Sequence, residues 1–79
     1  MNEAIKVIDL HGKNEYQARI AINAALKNSA SVYRIRVIHG YHNGTALKEL
    51  IAREYAAHPK VRRIDASDPG RTDLVLREL

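Results

Sequence analysis

The sequence predicts a small two-layer α+β domain of order β-α-β-α-β-β, a mixed four-stranded sheet with two helices on one face. Three observations predict it. Two apolar runs rich in β-branched residues, IKVIDL and VYRIRVI, each lead into a His-Gly pair. Each pair is followed by apolar residues at helical spacing, so a helix separates the first two strands, which should then be parallel with a right-handed crossover. The last third holds two short strand-like runs around DASDPGR, which has the Asp, Pro and Gly of a tight turn.

Residues 4–10 form the first strand. Ile5, Val7, Ile8 and Leu10 are apolar and Lys6 is the one clear outward residue, which suits a largely buried strand. Gly12 and Lys13 make the turn, and Asn14 caps a helix with Gln17 as its capping-box partner. The helix runs from about residue 15 to 28. Ala18, Ile22, Ala25 and Leu26 form its buried stripe, with Arg19, Asn23 and Lys27 turned away. Residues 32–38 are the second strand, with Arg34 and Arg36 at alternate positions. After the loop 40–44, Thr45 is placed to cap a second helix over residues 46–57. Leu47, Leu50, Ile51 and Tyr55 face inward there, and His58 and Pro59 stop it. Residues 61–65 form a short third strand, and 73–79 alternate well enough for a fourth.

At 79 residues the chain makes a single domain, residues 1–79, near the lower end of what folds without a disulfide or structural metal. Cysteine is absent, which excludes disulfides and thiolate metal sites. Phe and Trp are absent too, so the core must be aliphatic with help from Tyr. MNEAIKVIDL lacks the long apolar run of a signal peptide, and no run is long and apolar enough to span a membrane, so a soluble, cytoplasmic protein is expected. The net charge of +4 points toward anionic partners.

The chemistry-bearing residues cluster at the two strand ends. Asp9 and His11 lie two apart on an extended segment, so their side chains leave the same side of the chain. An Asp beside a His sets the imidazole tautomer and raises its basicity, which is the usual support for a general base. The plain alternative is that Asp9 only caps the turn. His39 and Gly40 end the second strand, and in a parallel β-α-β unit they share a rim with His11. A glycine there lets a phosphate approach backbone N–H groups at a helix start, while ordinary turn chemistry at Asn43 and Gly44 explains it as well. HGYHNGT lacks the lysine and length of a Walker A loop, so nucleotide binding is not expected. Asp9, His11, His39 and His42 could be assembled into a metal site on paper, but no rigid element sets their spacing, and no metal site is assigned. Arg34, Arg36, Arg62, Arg63, Arg77 and Lys6 either contact phosphates or keep an uncovered sheet face solvated.

The combination of IDLHG, RVIHG, LKELI and HPKV, in order and over nearly the whole chain, resembles the small MutS-related (Smr) domain, here in a stand-alone version. The resemblance implies a fold similar to the C-terminal domain of translation initiation factor 3. It also implies nucleic-acid binding, with DNA-nicking or RNA-cleaving endonuclease activity, linked to DNA repair and recombination or to RNA quality control. Asp9 and His11 match the motif tied to activity in that family. The second motif, usually HGxG or TGxG, falls on His39, Gly40, Tyr41 and His42, so its last glycine is replaced and the nearest later glycine is Gly44. The family's glycine-rich segment before the last strand is reduced to Gly70 within PGRTD.

The expected site follows. His11, oriented by Asp9, is the base and His39 its partner acid. Gly12, Gly40, His42, Gly44 and the next helix start hold the phosphate, with Arg36, Lys48 and Arg71 as backbone contacts. RNA cleavage needs no metal in this scheme, whereas nicking DNA calls for an activated water and a metal such as magnesium. The alternatives are a non-catalytic module for structured or branched nucleic acid, or a small protein-interaction adaptor. A monomer is expected, or a weak homodimer pairing an exposed sheet edge.

Overall fold

All six elements appear in the expected order in the computed structural model, which describes residues 5–40 and 44–78: β1 (Ile5–Asp9), α1 (Glu15–Lys27), β2 (Arg34–Ile38), α2 (Gly44–Glu54), β3 (Arg63–Asp65) and β4 (Arg71–Val75). The sheet order is β1-β2-β4-β3, with β1 parallel to β2 and the other two neighbouring pairs antiparallel. The carboxyl ends of β1 and β2 therefore meet the start of β4 on one rim. Positions 4, 42 and 79, which the sequence places at strand ends and in the second motif, lie outside the described residues.

Local signals act as expected in α1. The Asn14 side chain accepts from Gln17 N at 2.8 Å, and Gln17 Oε1 accepts from Asn14 N at 3.0 Å, so the capping box is complete. Ala18, Ile22, Ala25 and Leu26 are buried together with Leu47, Leu50, Ile51 and Tyr55 of α2 and its C-terminal turn. They pack on Ile35, Val37 and Leu74 from the sheet, forming one aliphatic core between the two layers. A bidentate pair ties the helices together: Arg19 Nε and Nη2 donate to Glu54 Oε1 and Oε2 at 2.8 and 2.7 Å. Tyr55 Oη donates to Asn23 Oδ1 at 2.8 Å beside it. Arg19 and Asn23, read from the sequence as facing solvent, thus line the seam between the helices.

Several boundaries shift. Helix α2 starts at Gly44, so Thr45 lies inside the first turn and is not its cap, and α2 ends at Glu54 instead of 57. Strand β4 begins two residues earlier than 73, because Gly70 closes the turn by donating to Asp68 Oδ1 at 2.8 Å and releases Arg71 into the sheet. Strand β1 is the larger correction. It is an edge strand whose open face carries Ile5 at 40% and Val7 at 55% exposure, with Asp9, while Lys6 and Ile8 are half-buried on the other face. A strand with one neighbour and no helix over one face cannot be buried on both sides.

Register sorts the sheet face without helices into rows. Val7, Arg36, Asp73 and Asp65 form one row, and Asp9, Ile38 and Arg71 form the next, at the rim. Asp73 is only 2% exposed although no helix covers it. Arg34 Nη1 donates to it at 2.8 Å and Arg36 Nη2 at 3.1 Å, and their stems lie over it.

Candidate functional site

Asp9 closes β1, and the chain turns at once through Gly12, whose φ of +78° is the left-handed conformation that glycine tolerates. Asp9 Oδ1 accepts from the His11 backbone N at 3.1 Å and also lies 2.6 Å from His11 Nδ1. The two sequence alternatives for Asp9 are therefore both realised: one oxygen caps the turn and holds the ring. With its proton on Nδ1, the imidazole donates to the carboxylate and leaves Nε2 as the basic atom. Both side chains are open to solvent, His11 at 73% and Asp9 at 54% exposure. The hydrogen bond from the His11 ring, then that from its backbone N–H, hold the Asp9 carboxyl below the usual carboxylate range, with a smaller pull from Lys13. Lys13 is a neighbour that the sequence reading treated only as a turn residue.

The second motif reaches the same place. Leu10 N donates to Ile38 O at 2.7 Å, which joins the two strand ends. A Cβ on Gly40 would stand 3.5 Å from His11 Cβ, and the φ of Gly40 is +82°. Glycine thus brings the second turn against the dyad. The N–H groups of His39 and Gly40 both donate to Gly70 O, at 3.1 and 2.9 Å. The Gly40 N–H is thus spent on the third glycine-bearing turn, and Gly70 locks the rim.

His39 is corrected too. It continues the alternation of Ile35 and Val37, so its ring points under the helices and is 2% exposed. Nε2 lies 2.9 Å from Thr72 Oγ1, and Nδ1 lies 3.1 Å from Gly40 O. It holds the loop and is not presented to a substrate. Thr72 was missed as its partner because the fourth strand was expected to start one residue later.

Arg71 stands on the open face in the rim row that begins with Asp9, two strand spacings or about 10 Å away. Among the described residues it makes no ion pair. Lys48 is half-buried on α2, about 6 Å along the helix axis from Gly44. Arg36 sits one row below the rim with Nε and Nη2 on Asp73, so its first duty is to that buried carboxylate. His42 lies outside the described residues. Among those described, no three His, Asp or Glu side chains gather so as to hold a metal ion. Among the described residues no helix is long and apolar enough to cross a membrane.

A family model for the Smr domain matches residues 8–73, from the first strand through the rim to β4. The chain belongs to the Smr domain family. The crystal structure of the Smr domain of Thermus thermophilus MutS2 superposes on this Smr domain with a TM-score of 0.69 at 24% identity, covering 92% of this chain and 99% of that one. At that identity the likeness shows a common fold. No curated protein sequence matches the chain.

Proposed function

We propose that this Smr domain binds nucleic acid at the rim formed by β1, β2 and β4 and cleaves its phosphodiester backbone, with His11 as general base. The observation that carries the reading is the exposed Asp9–His11 pair, 2.6 Å apart, beside the close-packed Gly40. On RNA, His11 Nε2 takes the proton of a 2′-hydroxyl. The 2′-oxygen then forms a bond to phosphorus while the bond to the 5′-oxygen breaks, giving a 2′,3′-cyclic phosphate and a 5′-hydroxyl. The leaving oxygen takes its proton from solvent, since His39 is buried. Arg71, Lys48 and the start of α2, where N–H groups point out along the helix axis, hold the phosphate.

On DNA, with no 2′-hydroxyl, the nucleophile is water. A magnesium ion would then rest on Asp9, through the Oδ2 that makes no hydrogen bond among the described residues, and mostly on water and substrate phosphate, as that ion commonly does. It would supply the activated water.

A second reading is a non-catalytic module, and the burial of His39 favours it, because one exposed histidine is then left at the rim among the described residues. The test incubates wild type, His11→Ala and Asp9→Asn with labelled single-stranded RNA, the DNA of the same sequence and branched DNA, with magnesium and with chelator. RNA cleavage by wild type alone, with cyclic-phosphate ends, supports the proposal. Salt-sensitive binding by all three proteins with no cleavage by any establishes the binding module instead.

A further inference from the structure

We propose that the pole opposite the Asp9–His11 rim is a second contact for nucleic-acid backbone, so that one polyanion is held at both ends of the sheet. The inference rests on the reading of the rim as a nucleic-acid site. Helix α1 ends there, β2 and β3 start there, and β4 finishes there. Between them lies a cleft of about 450 Å³ whose charged lining, among the described residues, is entirely basic: Lys27 at the end of α1, Lys60 and Arg62 from the connection between α2 and β3, and Arg77 after β4. Lys27 and Lys60 continue into a neighbouring cleft of about 300 Å³ that also takes in His58.

Local structure accounts for only half of this charge. The Lys60 ammonium donates to Leu26 O at 2.9 Å, and Lys27 sits in the last turn of α1, so both answer the negative end of that helix. Arg77 donates to Ala30 O and Val32 O, which satisfies carbonyls and leaves its charge unneutralised. Arg62 makes no side-chain hydrogen bond among the described residues. None of the four forms an ion pair among them, whereas five of the other arginines, Arg19, Arg34, Arg36, Arg53 and Arg63, all do. Glu78, which follows Arg77, is held by Arg63 at 2.8 Å. Four cations around a cleft with no acid in its lining among the described residues make a place for several phosphates, and their spread over three segments suits an extended backbone better than a single small anion.

The geometry also sets a length. The molecule is 34 Å in its longest dimension, an upper limit on the distance between the two poles, which a duplex rising 3.4 Å per base pair covers in about ten base pairs. Affinity therefore climbs steeply until a duplex reaches about that length and then levels off.

The experiment compares wild type, Lys27→Ala/Arg62→Ala and Lys6→Ala/Arg53→Ala by fluorescence anisotropy on 6- and 24-base-pair duplexes (about 6 and 24 base pairs, bracketing that length) over a salt series. Lys27 and Arg62 make no side-chain hydrogen bond among the described residues, so their loss leaves the fold intact. The control removes two charges from outside the cleft lining, Lys6 near the start of β1 and Arg53 in the last turn of α2. Expected are a loss of about tenfold in affinity for the long duplex and a salt slope shallower by about two in the first variant only, with the short duplex bound equally by all three. Equal losses in both variants, or none in either, would overturn the second contact while leaving the rim site standing. Failure of wild type to bind either duplex, or single-stranded RNA run alongside, would sink the rim reading and this one together.

Discussion

At the scale of single residues, the site depends on one carboxylate oxygen doing two things. Asp9 Oδ1 takes the His11 backbone N–H and faces its ring nitrogen, so turn geometry and imidazole orientation cannot be changed separately. His11→Ala removes the proposed base from a position where its side chain is 73% exposed. RNA cleavage should fall about a hundredfold or more while the melting temperature stays at the wild-type value, a split that kinetics and calorimetry on one preparation will show. Asp9→Asn retains the turn acceptor and loses the charge that supports the imidazolium, so cleavage drops with little change in folding. Gly40 makes the complementary case. At φ +82°, Gly40→Ala strains the backbone beside the dyad, while the added Cβ would meet His11 Cβ at an ordinary contact distance of 3.5 Å. Urea unfolding should show a loss of about 1 kcal/mol or more, with cleavage reduced as well.

At the scale of elements, the two helices are joined by a half-exposed pair whose protonation is visible in acid. The Arg19 guanidinium, bidentate on Glu54, is the main cause that lowers the Glu54 carboxyl from 4.5 to about 2. A carboxyl depressed in the folded state contributes stability above its unfolded value, and that contribution is lost as pH falls toward the folded one. The melting temperature of wild type should therefore fall between pH 4.5 and about 2 more steeply than that of Glu54→Gln, whose own profile lacks this component. Element-level features were also the most legible ones in the sequence. The capping box Asn14–Gln17 and both buried stripes follow from short-range spacing, and they appear as read. What spacing could not show was which strand lies at the edge. Order β1-β2-β4-β3 leaves the Ile5 and Val7 face open, and it brings Asp73 under Arg34 and Arg36, residues 37 to 39 positions away in the chain. The dyad was legible because its members are two residues apart. The burial of His39 was not, because its partner Thr72 lies on a strand whose start the turn at Gly70 sets.

At the scale of the whole molecule, charge has three separate roles. In the proposed reading the rim uses it on substrate, and the opposite pole carries four cations that form no ion pair among the described residues, while the open sheet face neutralises most of its own. Arg34 and Arg36 were candidates for phosphate contact, yet they converge on a carboxylate that is 2% exposed. Such a cluster is costly to break from one side, because the remaining charge stays desolvated, and much less costly to replace entirely. Arg34→Met/Arg36→Met keeps the covering stems and strands Asp73 beneath them, so denaturant unfolding should show a loss of about 3–5 kcal/mol. Adding Asp73→Leu removes the stranded charge and should restore most of that stability. The restored triple variant then separates structure from function. If the face serves only to hold the sheet together, the variant binds nucleic acid at moderate salt as wild type does, its slope with salt unchanged. A slope shallower by about one or two in the triple variant would show that these arginines also touch phosphate, and would move the binding surface from the rim onto the sheet.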